Sequence, residues 1–217
     1  MQSLLLAKAA KQKAFTLLEL LTVVALIVIL VGLSVGGGSL VRGRMLDTAG
    51  NRVGLLFDFA RQRAMAGNVL TAVVLITNSG AAEDGRAFTI LEYSGGSKVW
   101  KQAYPWEVLP EGFCVDMGND TTTSTYVSQP DPSVQLPYAA SSPVVFRGRN
   151  LTAQQYAYRI FLPSGGLWTT SSNPVRLQLV EGAVEDGVTK YRKPPDNYYR
   201  ISLVTATGRT KVERPGF

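Results

Sequence analysis

The feature that most constrains this chain is an apolar run from Phe15 to Val35, rich in Leu, Val and Ile, with one carboxylate, Glu19, near its start. From Leu20 to Leu33 there is no charge. An ionisable group inside hydrocarbon costs roughly 2.5–3.5 kcal/mol on insertion scales, so Glu19 needs a reason to be there. As a helix rising about 1.5 Å per residue, the run spans about 30 Å, enough to cross a bilayer core. Lys8, Lys11 and Lys13 precede it. The positive-inside rule therefore leaves residues 1–14 in the cytoplasm and everything after Val35 outside, with Arg42 and Arg44 as a weak opposing pair. Two other readings stay open. An ordinary secretory signal would be cut near Val35-Gly36-Gly37-Gly38-Ser39. Alternatively, Glu19 sits at headgroup level and snorkels.

Ala14-Phe15-Thr16-Leu17-Leu18-Glu19 resembles the type IV prepilin processing site, Gly followed by Phe-Thr-Leu-x-Glu. The resemblance implies a prepilin peptidase that cuts between Ala14 and Phe15 and methylates the new amino terminus at Phe15. It departs from the pattern at Ala14, where the family mostly carries Gly. It also gives Glu19 a role in assembly. The amine at Phe15 is positive and a neighbouring subunit's Glu19 is negative. Each is costly alone in hydrocarbon, and as a pair they set the stagger between subunits.

Composition is consistent with one globular region behind an anchor. The chain has 217 residues and a formal net charge of +6, of which three charges are leader lysines. The remaining balance, about +3, does not by itself demand nucleic acid. Cys114 is the single cysteine, which excludes an intrachain disulfide, and its place between Phe113 and Val115 reads as core packing. There is no histidine. That removes Ser-His-Asp and Cys-His catalysis and His-ligated zinc. No phosphate loop or nucleophile elbow is present either. The chain reads as a non-enzyme without a cofactor.

Gly36-Gly37-Gly38 reads as a joint, or as a segment that unwinds on packing. Val41, Met45, Ala49, Val53, Leu56, Phe57, Ala60 and Ala64 then recur at spacings of three and four, predicting an amphipathic helix that stops at Gly67-Asn68. Beyond it the texture is β-type: Val69–Thr77, Ala87–Tyr93, Lys98–Tyr104, Val144–Arg147, Tyr156–Leu162, Val175–Val180, Tyr198–Val204 and Thr210–Glu213. Ser94-Gly95-Gly96-Ser97 signals a hairpin. Asp116–Ser142 and Val184–Asn197 read as long loops. The domain reading is therefore residues 1–14 as leader, 15–35 as transmembrane or filament-core helix, 36–68 as joint and amphipathic helix, and 69–217 as an extracytoplasmic β-rich region.

Three further stretches are similar to minor pilins and pseudopilins of the GspH and FimT type. Ala60-Arg61-Gln62-Arg63-Ala64-Met65-Ala66-Gly67-Asn68 resembles the end of their long helix. Phe161-Leu162-Pro163-Ser164-Gly165-Gly166 resembles their strand and turn, and Ile201 to Val212, with Thr207-Gly208-Arg209 at its turn, resembles their closing hairpin. The long loops resemble the Verrucomicrobia cassette protein D class. The fold implied is α+β, a pilin fold in which a long N-terminal helix packs on antiparallel β-sheets, two small ones in the GspH type. The function implied is a subunit of a type II secretion pseudopilus or type IV pilus-like filament. Its partners would be prepilin peptidase, other major and minor pilins or pseudopilins, and inner-membrane lipid.

The FimT resemblance also implies an alternative, a DNA-binding minor pilin for DNA uptake. Arg209, Lys211 and Arg214 are its candidate contacts. Lys190, Arg192, Lys193 and Arg200 would extend the positive surface, and Tyr191, Tyr198 and Tyr199 would stack on bases. Basic residues on terminal strands also discourage edge pairing, which explains them without DNA. Asp116, Asn119, Asp120 and Asp131 are oxygen ligands of the kind calcium takes, but their spacing fits no known loop. They read as solvated, so no metal is expected. Trp100, Trp106 and Trp168 read as core or rim packing.

Overall fold

The computed structural model describes residues 16–118, 136, 143–169, 174–191 and 197–214; within these, the side chains of residues 33–42 lie outside the description. The chain forms two compact units, Met1–Arg42 and Gly43–Phe217.

One helix, α1 (Leu17–Gly67), contributes to both units, and its backbone stays helical through Gly36-Gly37-Gly38. In the first unit, its leucines, isoleucines and valines face outward on every side, from Leu17 at 81% exposed to Val23 at 46%. Among the described residues no helix is long and apolar enough to cross a membrane.

In the second unit the helix is amphipathic as expected. Leu46, Ala49, Val53, Leu56, Phe57, Ala60 and Ala64 are buried. Met45, expected on this face, is instead 48% exposed, and Leu46 takes the buried position. The cause is glycine. Gly43, Gly50 and Gly54 are buried on the same face but carry no apolar side chain to reveal its phase. The helix ends where the sequence predicts. Asn68 is left-handed (φ 51°), and the Val69 N–H donates to the Ala64 carbonyl at 3.2 Å, the closing bond of a Schellman motif.

The strands are β1 (Thr71–Ile76), β2 (Ala87–Ser94), β3 (Val99–Val108), β4 (Phe113–Val115), β5 (Val145–Phe146), β6 (Arg149–Asn150), β7 (Tyr156–Phe161), β8 (Val175–Glu185), β9 (Val188–Tyr191), β10 (Tyr198–Leu203) and β11 (Thr210–Glu213). A first sheet has the order β3-β2-β1-β7, and a second β11-β10-β8-β4 with β9 also on β8. All pairings are antiparallel. The expected α+β class, with the helix packed on antiparallel sheets, is what the structure shows.

One core joins the helix to both sheets. Phe57 and its helical neighbours meet Val73, Leu75, Phe88 and Ile90 of the first sheet and Leu177, Leu179, Ile201 and Leu203 of the second. The strand period of two sends Ala72, Val74 and Ile76 to the opposite face. There they form a second core with Trp100, Leu136, Val144, Phe146, Leu151 and Tyr158. The first sheet is therefore covered on both faces, which is why β1 reads as an uninterrupted apolar run.

Two of the expected loops are revised. Val184–Asn197 is largely a hairpin: β8 runs on to Glu185, and β9 pairs back from Val188. Asp186 and Gly187, both left-handed (φ 52° and 73°), make the two-residue turn. Asp116–Ser142 is not simply surface, since Asp116, Met117 and Leu136 are buried; Asn119, Asp120 and Asp131 lie outside the described residues.

Candidate assembly site

Ala14 and Phe15, the expected processing pair, lie outside the described residues. The local structure begins at Thr16. Its hydroxyl accepts from the Glu19 N–H at 3.3 Å, and its carbonyl accepts from the N–H groups of Glu19 (3.0 Å) and Leu20 (3.2 Å). Thr16 is thus the N-cap of α1 and Glu19 the third helical residue, the Thr-x-x-Glu spacing of a capping box. A carboxylate in the first turn also suits the positive end of the helix dipole. This gives Glu19 a local reason to exist, one that the apolar context hides. Its side chain is exposed among Leu17, Leu18, Leu20 and Leu21, free to meet a partner outside this chain.

The three stretches singled out far apart in sequence meet at one place. The Arg61 guanidinium on α1 donates to the Thr207 carbonyl in the β10–β11 turn at 2.7 Å. The turn after β7 sits between them. A side chain on Gly165 would come within 2.8 Å of the Met65 sulfur, and one on Gly166 within 2.8 Å of the Ala206 carbonyl. Leu167 N–H donates to the Thr205 carbonyl at 2.8 Å, tying this turn to the second sheet. Gly166 meets the backbone of Thr205 and Ala206, which cannot turn aside, so glycine is needed there for close approach, whereas Gly165 faces the side chains of Met65 and Arg61.

Two of the three candidate nucleic-acid contacts, Lys211 and Arg214, are ion-paired within the chain. Arg214 is ion-paired with Asp47 and lies over the Tyr199 ring, 5.4 Å from its centroid. Lys211 pairs with Glu213 at 3.4 Å, and Arg200 with the same carboxylate at 3.7 Å. Arg200 also donates to Gln178 at 2.7 Å and stacks on Tyr198. Tyr199 is buried against the helix, and its hydroxyl donates to Asn51. Arg209 and Lys190 are exposed; Arg192 and Lys193 lie outside the described residues.

Of the candidate oxygen ligands, Asp116 alone lies among the described residues. Asp116 is 2% exposed, and its carboxylate accepts from the Tyr191 hydroxyl (2.7 Å) and the Gly118 N–H (2.9 Å). No group of potential metal ligands forms among the described residues. Trp100 is buried and Trp106 donates to the Val145 carbonyl, as packing residues do, while Trp168 sits half-exposed at the rim.

Residues 9–35 match the prokaryotic N-terminal methylation motif. The chain therefore carries a prepilin-type N-terminal segment, and the match takes in Lys11 and Lys13 and covers Ala14, Phe15 and Glu19. No curated protein matches. Among solved structures, the chain is similar to the minor pseudopilin EpsH of the Vibrio cholerae type 2 secretion system, at 14% identity and TM-score 0.42, over 79% of this chain and 98% of that one. It is also similar to the Pseudomonas aeruginosa type IV minor pilin FimU, at 12% identity and TM-score 0.41, over 78% and 92%.

Proposed function

We propose that this chain is a minor pilin or pseudopilin, a structural subunit rather than an enzyme. The observation that carries this reading is the first part of α1: an apolar surface on every side, one carboxylate in its first turn, and the methylation motif across residues 9–35. A helix apolar all round persists only where lipid or other helices cover it. In this reading the leader stays in the cytoplasm, the apolar helix sits in the inner membrane, and the remainder lies outside. Prepilin peptidase cuts between Ala14 and Phe15 and methylates Phe15. The helix then leaves the bilayer for the core of a type II secretion pseudopilus or type IV pilus-like filament, packed among other subunits. Glu19 neutralises the Phe15 amine of a neighbour. The paired Lys211 and Arg214 do not favour the DNA-binding alternative.

The test is the intact mass and first residue of the protein taken from its native membrane. A chain that starts at methylated Phe15 supports the proposal. A start at Met1, or near Ser39, overturns it. Glu19→Ala adds a second reading. Removing one partner of a buried ion pair costs roughly 3–5 kcal/mol, so recovery in a sheared filament fraction should fall by about 100-fold or more while cleavage continues.

A further inference from the structure

β11 runs antiparallel along α1. Its turn is held at Thr207 by Arg61, its first residue Thr210 donates to Asp58 at 3.1 and 3.3 Å, and Arg214, just past its end, pairs with Asp47. The spacing is comparable: Asp47 to Asp58 covers about 17 Å of helix and Thr210 to Arg214 about 13 Å of strand, a gap the long Arg214 side chain can span. On its other side β11 pairs with β10, from Leu203↔Thr210 to Arg200↔Glu213. β11 thus fills a slot between a strand edge and a helix.

What holds it there is polar. No residue of β11 belongs to either core, and Val212 is 46% exposed. β10, by contrast, buries Tyr199, Ile201 and Leu203. The slot is built without β11, and β11 lies in it by hydrogen bonds and ion pairs. Elements with few buried apolar contacts open first. An edge strand that opens leaves a template for another strand.

We propose that β11 is an exchangeable strap, and that the slot between β10 and α1 takes β11 of a second copy of this chain. The slot selects its occupant chemically. Asp58 calls for a hydroxyl, and Asp47 for a cation four residues further on. Thr210 and Arg214 supply both, so another copy's strap is the best match. The peel begins at Arg214 and stops at Gly208, where the turn is packed on Gly165. Exchange of an identical element between copies adds contacts between subunits at low cost. It does not depend on processing at Phe15, so failure of either proposal leaves the other standing.

The experiment uses two differently tagged full-length chains co-expressed in one membrane, one carrying Asp58→Cys and the other Thr210→Cys. On oxidation, a disulfide-linked heterodimer carrying both tags is the expected result. The double variant in a single chain is the control for folding and reach, since its disulfide should close within the chain. Internal closure without any heterodimer overturns the proposal. Hydrogen exchange on the unmodified chain gives an independent reading. Amides of β11 should exchange at least about ten-fold faster than those of β8. Equal protection would also overturn it.

Discussion

The ring of Tyr199 lies flat against the backbone of Gly50, close enough that a methyl at that position would come within 2.5 Å of ring carbon Cε1. The glycine lets the second sheet approach the helix, and the Tyr199 hydroxyl then reaches Asn51 at 2.7 Å. Gly50→Ala gains helix propensity but must push the ring away. Overpacking of this kind costs about 1–3 kcal/mol, which outweighs the gain of about 1 kcal/mol from replacing Gly by Ala in a helix. Thermal unfolding of the variant should fall by several degrees. Gly54→Ala is the control, because nothing lies within 4 Å of the added carbon. It should be neutral or slightly stabilising.

Gly208 carries two constraints at once. Its φ is +63°, and a side chain would collide with the Gly165 carbonyl and come within 2.9 Å of the Phe161 ring. Gly112 has a similar conformation, φ +86°, with open space around it. Gly112→Ala should therefore cost only the left-handed penalty, about 1–2 kcal/mol. Gly208→Ala should cost clearly more, because the backbone it meets has no rotamer to change. Chemical denaturation of the two variants side by side measures the difference. Equal losses would mean that the turn gives way without cost.

The contrast between these glycines shows where sequence reasoning reached and where it stopped. The helix was legible because burial repeats every three to four residues, and its end because Gly67-Asn68 has few conformational alternatives. The face was read one residue out of phase at Met45, since Gly43, Gly50 and Gly54 mark buried positions without a side chain to show it. β4 was missed because three residues hold too little period to count. β9 was missed although Asp186-Gly187 is a hairpin signal, because exposed Val188, Lys190 and Tyr191 disguise the strand. The meeting of Arg61, Gly165 and Thr207 is set by tertiary contact alone. At Glu19, the Thr16-x-x-Glu19 spacing is a capping signal that the surrounding apolar run masks.

Arg214 and Asp47 should be coupled. The pair is partly exposed, so the ion pair itself is worth about 0.2–1 kcal/mol, and the stacking of Arg214 on Tyr199 adds about 0.5–1 kcal/mol. Arg214→Ala should lower the melting temperature by a few degrees. Asp47→Ala should lower it less, and in the Arg214→Ala background it should do almost nothing. A double-mutant cycle by thermal unfolding reads the coupling directly. Additive losses would show that the two residues act independently. The coupling should shrink at high salt, whereas the losses at Gly50 and Gly208 should not.

Cys114 is fully buried in β4, and burial pushes its thiol pKa up to about 12, with the Asp116 carboxylate adding to the rise and Arg86 opposing it. A raised acid pKa means that the folded state favours the protonated thiol. The stability this contributes is fully present below the ordinary thiol value, near 9.0, and is lost as pH rises toward 12. Tyr158, raised to about 12 by burial and by Tyr156, reinforces the loss in the same direction above its ordinary value of 10.0. The folded protein should therefore resist alkylation at pH 8–9, where an exposed thiol reacts readily, and should label fully once denaturant unfolds it. The labelling rate should follow global unfolding, because Cys114 is fully buried in a strand paired with β8. Rapid labelling in native buffer would mean that β4 detaches independently, and the packing described for this edge of the second sheet would have to be revised.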